Sequence, residues 1–305
     1  MTKLVIALGG NALGETPQEQ LSLIQEASKS IVDLAEAGYE VVVAHGNGPQ
    51  VGMINHALNY ASEHGMPFPE CGSMSQGYIG YHLSHSLENE LTKRGIKKEV
   101  AAVITEVVVD EKDAAFANPT KPIGGFHTKE EADKLAEETG QTFVEDSGRG
   151  YRRVIASPQP QKIVQLNAVK TLVEAGTIVI TVGGGGIPVV EKDGFLVGVD
   201  AVIDKDNSSS KLAASMEADM LVILTAVDQV AINFGKPNQK NLDKITLADV
   251  DQYIEEGHFA PGSMLPKVEA CVNFVKANPN GKALITSLER AKDALAGLTG
   301  TTISA

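Results

Sequence analysis

The stretch KLVIALGGNALG, residues 3 to 14, decides the fold class. Its apolar run from Leu4 to Leu8 leads directly into Gly9, Gly10 and Asn11, which is typical of a buried strand followed by a loop of bare backbone. Such a loop lets a ligand contact the main chain, and a helix that begins nearby would add free N–H groups for an anion. The stretch contains one cation, Lys3, at the far end of the strand. The positive charge that a phosphate would need must therefore come from another segment.

The same local design occurs twice more along the chain. YEVVVAH (39–45) leads into GNGPQVG (46–52), and TIVITV (177–182) leads into GGGG (183–186). Runs that are apolar on both faces are typical of parallel strands covered by helices. Further strands are predicted at 100–105, 220–225 and 282–286, with helices at 17–37, 73–94, 162–175, 207–218, 246–256 and 263–277.

This order of elements predicts an α/β fold, a three-layer α/β/α sandwich with a mainly parallel open sheet. Ligands in such sheets bind at the carboxyl ends of the strands, so the three glycine loops are expected to line one crevice. Residues 110–157 depart from the pattern, with Pro119, Pro122 and DSGRGYRR (146–153), and they predict a protruding lid. Residues 189–199, around Asp193-Gly194, predict a hairpin.

The bulk composition excludes several classes of protein. A net charge of −13 over 305 residues argues against nucleic acid as a partner, because binding to its phosphate backbone needs clustered Lys and Arg. No segment has the length and apolarity of a membrane span, and no secretory signal is recognised. Cys71 and Cys271 are far apart and fit no metal or disulfide pattern, so a cytoplasmic location is expected.

Three lysines are candidates for binding phosphate. Lys205 lies between Asp204 and Asp206 at a predicted strand-to-helix junction, with Asn207 and Ser208 as candidate N-caps. A solvated turn and an oriented, phosphate-binding lysine are both open interpretations of this segment. Lys267 in HFAPGSMLPKVEA (258–270) is predicted about one turn into a helix, where it could equally be an ordinary surface lysine. Lys121 in NPTKPIGG (118–125) lies between two prolines, which restrict its backbone.

Other enzyme signatures are missing from the sequence. There is no GxxxxGK[ST], which excludes a P-loop enzyme, and residues 46–52 spell GxGxxxG rather than GxGxxG, which disfavours a dinucleotide-dependent dehydrogenase. His82 and His85 lack the carboxylates that would complete a metal site, and the seven histidines are interpreted as structural or solvated. The helix at 77–91 carries aromatic and small residues on one face, as in a core or a dimer contact.

Seven motifs in order resemble the carbamate kinases of the amino-acid kinase superfamily. They are ALGGNAL (7–13), HGNGPQVG (45–52), NPTKPIG (118–124), GRGYRRV (148–154), GGGGIPV (183–189), VIDKD (202–206) and HFAPGSMLPK (258–267). The resemblance implies a sheet of about eight strands, a small protruding subdomain and a homodimer. It also implies reversible phosphoryl transfer between ATP and carbamate, giving ADP and carbamoyl phosphate, with magnesium.

The resemblance also accounts for the charge missing from the first strand. Many relatives in the superfamily carry a lysine two residues before the glycine pair, where this chain has Ala7. In carbamate kinases a lysine of the later DKD segment supplies that charge, and Lys205 matches it. This favours carbamate kinase over acylglutamate, glutamate, aspartate and UMP kinases. The chain departs from the family pattern at Gly125 and His127, where bulkier residues such as Pro and Tyr are expected.

We assign the predicted site in two parts on this basis. The carbamoyl and transferred-phosphoryl side comprises Gly9, Gly10, Asn11, Gly46, Asn47 and Gly48. The nucleotide side comprises Lys205 and Lys267 at the ATP phosphates, with Gly183, Gly184, Val227, Asp228 and Met264 lining the pocket. Asp206 would orient the lysines and Lys121 would reach in from the lid. No metal ligand is assigned to the protein, since magnesium would be held mainly by the nucleotide phosphates.

The predicted organisation is a single domain, 1–305. Within it, 1–190 forms a carbamate and carbamoyl-phosphate lobe, 110–157 the lid and 191–305 a nucleotide-binding lobe. The expected use is ATP synthesis from carbamoyl phosphate in arginine catabolism, with carbamoyl phosphate supply as the other direction. Two alternatives stay open: another phosphotransferase of the same superfamily, and a ligand sensor on the same fold without catalysis.

Overall fold

The computed structural model describes residues 1–9, 13–14, 16–61, 65–146 and 148–305, with the side chains of residues 60 and 61 left outside the description. The described strands are β1 (Lys3–Leu8), β2 (Glu40–His45), β3 (Val100–Ala102), β4 (Glu106–Val109), β5 (Lys121–His127), β6 (Thr142–Glu145), β7 (Tyr151–Ile155), β8 (Pro160–Ile163), β9 (Ile178–Ile180), β10 (Ile187–Lys192), β11 (Phe195–Gly198), β12 (Met220–Thr225), β13 (Ala231–Ile232), β14 (Lys240–Asn241), β15 (Lys244–Thr246), β16 (Lys282–Ser287) and β17 (Thr301–Ser304).

The helices within the same residues are α1 (Pro17–Glu36), α2 (Gly48–Ala61), α3 (Phe68–Lys93), α4 (Ala114–Ala117), α5 (Lys129–Thr139), α6 (Leu166–Glu174), α7 (Lys205–Ser215), α8 (Leu247–Glu255), α9 (Met264–Ala277) and α10 (Ala291–Leu295). The start of α1 shows how the sequence fixes a boundary. Thr16 and Glu19 form a capping box, and Pro17 occupies the first helical turn, where its missing N–H costs no hydrogen bond.

The main sheet has the strand order β15-β17-β16-β12-β1-β2-β9-β3 in the described part of the chain. The six strands from β16 to β3 run parallel, whereas β17 pairs antiparallel with β16 and carries β15 at its outer edge. This confirms the mainly parallel sheet of about eight strands. The C-terminal pair β15 and β17 was not predicted from the sequence.

Alternating side chains of the central strands fill two separate cores. Leu4, Ile6 and Leu8 pack on one face with residues of α1 and α3, and Val5 and Ala7 pack on the other with residues of α7 and α9. Successive strand residues point to opposite faces, so a strand that is apolar throughout is buried on both sides. The three-layer α/β/α sandwich is therefore confirmed.

Several predicted boundaries were wrong. Helix α3 begins at Phe68 rather than at residue 73, and the segment predicted as a helix from 162 contains the end of strand β8 before α6 begins. Helix α7 begins at Lys205 because Asp204, and not Asn207 or Ser208, is the N-cap: its side chain accepts a hydrogen bond from the Asp206 N–H. The hairpin predicted at 189–199 is present as β10 and β11.

The predicted lid contains a small sheet of its own. Strands β5, β7 and β6 form this sheet in that order, and α5 lies between β5 and β6 in the chain. Its inner face contributes Ile123 and Ile155 to an apolar cluster with Val51 of α2 and Phe68 of α3. The lid therefore packs on α2, and its division from the lobes 1–190 and 191–305 stays a prediction.

Candidate active site

The glycine loops lie at one edge of the main sheet. Leu8 of β1 pairs in register with His45 of β2 on one side and Leu224 of β12 on the other. Gly9, Gly46 and the loop after β12 therefore follow at the same carboxyl edge. In that loop Val227 is half-buried and Asp228 is exposed. Gly10 and Asn11 lie outside the described residues.

Asp206 is the centre of the charged part of the site. Its side chain is 4% exposed, and its two carboxylate oxygens face two different lysines. Lys205 donates a hydrogen bond to one oxygen, and the ammonium of Lys267 lies 3.4 Å from the other. A buried carboxylate that accepts bonds from two ammonium groups fixes the direction in which both point.

The two lysines come from helices that pack against each other. Lys205 is the first residue of α7, and Lys267 lies in the first turn of α9, where it also donates to the carbonyl of Ser263 at 3.4 Å. Met264, half-buried, opens α9 and packs against the core on that side. The structure thus brings together three of the predicted catalytic residues.

Lys205 reaches the edge of the sheet where the glycines lie. A Cβ atom placed on Gly46 would be 3.5 Å from Cδ of Lys205 and 3.9 Å from its Cε. The lysine stem therefore passes beside the end of β2. Ala7 of β1, where many relatives in the superfamily carry a lysine, is fully buried in the core.

Lys121 joins the lid to the DKD segment. Its ammonium lies 2.7 Å from the carboxylate of Asp204, the N-cap of α7. Burial by itself would raise the pKa of Asp204, but the charge and hydrogen bond of Lys121, together with Lys205, outweigh it and leave that pKa below its usual range. The first residue of β5 is thereby placed beside the other charged residues of the site.

Gly184 lies next to Asn47, and Gly183 lies next to His45 and Gln76. Gly184 has a φ of 65°, and a Cβ there would be 2.1 Å from Nδ2 of Asn47, so glycine is required for both reasons. Asn47 itself donates to Ser75 Oγ at 2.8 Å. These contacts place Gly184 beside a residue predicted for the carbamoyl side. That Gly183 and Gly184 contact the nucleotide stays a prediction.

His45 is a buried residue of this edge that sequence reasoning left with the other histidines. Its Nδ1 lies 2.7 Å from the Gly46 carbonyl, which can only accept, so Nδ1 is the donor. Burial lowers the pKa of His45 to about 4, and the hydrogen bond to Gly46 offsets this only in part. The ring is therefore neutral at pH 7. Its place directly before GNG in the sequence was the available signal.

Two glutamines that were also missed hold the loops in place. Gln76 donates to the carbonyls of Thr105 and Gly183 at 3.1 and 3.0 Å, and its own carbonyl accepts the Thr105 N–H at 2.8 Å. Gln50 donates to the carbonyl of Gly14 at 3.2 Å, in the loop that follows β1. Gln50 belongs to the quoted motif HGNGPQVG, but Gln76 lies inside α3 and has no motif to mark it.

The comparisons with known proteins agree with this geometry. The sequence model of the amino acid kinase family matches residues 2–287. The chain belongs to the amino acid kinase family. Within that family it is 58% identical to carbamate kinase 2 of Staphylococcus epidermidis and 57% identical to carbamate kinase 3 of Staphylococcus aureus, with 99% of both chains covered in each case.

A solved structure of this family has the same fold over its whole length. The carbamate kinase from Giardia lamblia bound to AMP-PNP superposes with a TM-score of 0.92 at 42% identity, and the match covers 99% of this chain and 98% of that one. The resemblance predicted from seven motifs is therefore confirmed, together with the fold class. An amino acid kinase of this type transfers a phosphoryl group. The lysines at the carboxyl edge have the charge that is needed to bind such a group.

Proposed function

We propose that this protein is an ATP:carbamate phosphotransferase that converts ATP and carbamate reversibly into ADP and carbamoyl phosphate. The observation that carries the proposal is the pair Lys205 and Lys267, held by buried Asp206 at the carboxyl edge of the sheet. The full-length carbamate kinase relatives support the same activity. Phosphoryl transfer needs positioning and charge neutralisation more than covalent chemistry.

Lys205 and Lys267 would bind the oxygens of the ATP phosphates. An ammonium about 4 Å from a phosphate oxygen is worth about 4 kcal/mol at an effective dielectric constant of about 20, before the cost of desolvation. Asp206 keeps both ammonium groups in place before the substrate arrives, so little reorganisation is needed during transfer. Lys121, which is 38% exposed at its side chain, would add a third cation from the lid.

The glycine loops would hold the acceptor and the moving phosphoryl group. Backbone N–H groups of Gly9, Gly10 and Asn11, and of Gly46, Asn47 and Gly48, are the proposed donors. Helix α2 begins at Gly48, so its unpaired N-terminal N–H groups and positive dipole end face the same edge. The carbamate oxygen itself attacks the phosphoryl group, and no protein nucleophile is required.

ATP or ADP with magnesium is the proposed nucleotide. Among the described residues no cluster of three or more His, Cys, Asp or Glu side chains could hold a metal ion, and the carboxylate of Asp206 is occupied by two lysines. Magnesium would therefore be held mainly by the nucleotide phosphates, whose charge it neutralises. Val227, Asp228, Met264, Gly183 and Gly184 are proposed to line the nucleotide pocket.

A homodimer in the cytoplasm, serving arginine catabolism, completes the proposal. The homodimer is supported by exposed apolar side chains on α3, Met74 and Tyr81, and by exposed Ile104 next to β3, which is the edge strand of the main sheet. In the described part of the chain no helix has the length and apolarity needed to cross a membrane. ATP synthesis from carbamoyl phosphate is the proposed direction.

A direct assay tests the function and its alternatives. Purified protein is mixed with ADP, magnesium and carbamoyl phosphate, and ATP is measured. We expect ATP formation, and no phosphorylation of N-acetylglutamate or UMP by ATP. Activity on either of these substrates, with none on carbamoyl phosphate, would identify another phosphotransferase of the family. Binding of nucleotide with no turnover on any substrate would identify a ligand sensor.

A further inference from the structure

A cavity lies between the lid and helix α2, apart from the candidate active site. Its volume is about 560 Å³, and its polar lining includes Arg153, His127 and Gln141 from the lid and Asn55 and His56 from α2. None of the residues assigned to the candidate active site lines it. The cavity begins one helical turn below the start of α2, where Gly52 lies against Gly124 of β5.

Arg153 is the cation of this cavity, whose lining also includes the carboxylate of Asp200. It stands opposite Ile123 on β5 and Phe143 on β6, and side chains directly opposite each other share one face of a sheet. Ile123 belongs to the apolar cluster under the lid, so Arg153 projects from the inner face toward α2. Its neighbour Arg152 lies on the other face by the alternation of the strand.

The two arginines differ in their partners. Arg152 donates to the Gly124 carbonyl at 3.1 Å and to the Asp146 carboxylate at 3.2 Å. Among the described residues no carboxylate or carbonyl accepts a hydrogen bond from Arg153. Burial lowers the pKa of Arg153, and the nearby charge of Asp200 offsets this only in part. Asp200 itself accepts a long hydrogen bond from the Phe68 N–H at the start of α3, at 3.4 Å.

A half-buried guanidinium that has no hydrogen-bond acceptor in the described part of the chain, and only a nearby carboxylate to offset its burial, costs free energy that a bound oxyanion would recover. Guanidinium presents a planar fork of N–H donors that matches two oxygens of a carboxylate or phosphate. Gly125 leaves the cavity open on the lid side, since a Cβ there would meet no atom within 4 Å. His127, on the same strand, adds a ring nitrogen to the lining.

We infer that this cavity is a second oxyanion-binding site, separate from the site of phosphoryl transfer, for a small phosphate- or carboxylate-bearing molecule anchored by Arg153. Such a ligand would bridge α2 and β5. Because β5 begins with Lys121, the ligand would fix the strand that carries the lid cation. Binding at this site does not depend on the proposed catalytic activity.

The test is calorimetric titration of the full-length protein. Inorganic phosphate and malonate are titrated separately into the Lys205→Ala variant, in which the transfer site has lost a phosphate-binding cation, and into the same variant carrying Arg153→Gln. We expect at least one of the two anions to bind, with affinity falling roughly tenfold or more on Arg153→Gln, because hydrogen bonds to charged groups are strong. Lys134→Gln removes an exposed charge from α5 of the lid and should leave the affinity unchanged.

Two further measurements separate this site from the transfer site. AMP-PNP binding to Arg153→Gln should match that of the unaltered protein, and Arg153→Lys, which keeps the charge but loses the fork, should bind the anion with intermediate affinity. The inference is overturned if neither anion binds, if both bind equally well without Arg153, or if Arg153→Gln weakens AMP-PNP to the same extent. Thermal melts accompany every variant, and Arg153→Lys decides the matter if Arg153→Gln does not fold.

Discussion

Replacing Lys205 by alanine tests the proposed phosphate site most directly. The variant removes one of two ammonium groups that contact Asp206, while Lys267 remains 3.4 Å from the other carboxylate oxygen. Losing one hydrogen bond to a charged, buried group costs about 1.5–3 kcal/mol, which is less than the usual 5–15 kcal/mol of a folded protein. We therefore expect Lys205→Ala to fold.

Its turnover should fall much further than its stability. Cations that neutralise charge during phosphoryl transfer are worth roughly 10³-fold or more in kcat, or about 4 kcal/mol in the barrier. Lysine 205 also lies beside Gly46, so its loss leaves the edge of β2 without its cation. The measurement is kcat at saturating ADP and carbamoyl phosphate, with thermal melts alongside.

Lys211 provides the matched control on the same helix. It lies six residues further along α7, about 120° around the helix from Lys205, and is half-buried. In the described part of the chain its ammonium makes no ion pair or hydrogen bond, so Lys211→Ala should leave kcat nearly unchanged. An inactive Lys211→Ala beside an active Lys205→Ala would show that the phosphate-binding lysine has been misplaced.

Three further predictions concern the rest of the site. Burial lowers the pKa of His45 from 6.5 to about 4, so the neutral ring contributes up to about 3 kcal/mol to the free energy of unfolding. This contribution is present above pH 6.5 and is lost as the pH falls toward 4. The melting temperature of the unaltered protein should therefore drop over this range relative to that of His45→Gln, and parallel pH profiles of the two proteins would contradict this. Gly184→Ala places a Cβ 2.1 Å from Asn47 Nδ2, so we expect a loss of carbamoyl phosphate use and of about 1–3 kcal/mol in stability. The control Gly72→Ala, where a Cβ on α3 would meet no atom within 4 Å, should stabilise the protein by about 0.5–1 kcal/mol. Residues 121–155 can be replaced by a short linker, because Lys121 and Ile155 pair with each other at the two ends of the segment. The shortened protein should fold but should have little activity. Unfolding, measured by circular dichroism, would show that the lid is part of the core.

The main sheet could be predicted because its strands carry their own signal. Runs such as KLVIAL are apolar on both faces and end on glycine, which is what a central parallel strand at a ligand crevice requires. Helix α2 could not be predicted in the same way, since GNGPQVG looks like a loop although the helix begins inside it at Gly48. The edge strand β15 and its neighbour β17 are only three and four residues long, too short for a clear pattern.

The residues of the site were easier to predict than their pairing. Lysines 121, 205 and 267 were marked by motifs, and the resemblance implied that Asp206 orients the lysines at the ATP phosphates, but the sequence did not indicate that Lys121 pairs with Asp204. That arrangement depends on the packing of α7 on α9 and of the lid beside α7. Gln76 was missed because a single glutamine within α3 has no periodicity or spacing to distinguish it from other helical residues.

The positions of the two aspartates explain how an acidic protein can present three cations at one edge. Asp204 caps α7 and accepts a bond from Lys121, and Asp206, in the first turn of the same helix, accepts bonds from Lys205 and Lys267. Negatively charged groups near a helix N-terminus are stabilised by its dipole, so the start of α7 is a favourable place for both carboxylates. Three ammonium groups held by two carboxylates leave a net positive charge of about one before ligand binds. The cation absent at Ala7 is thus supplied by the first residue of α7, which leaves Ala7 buried in the core.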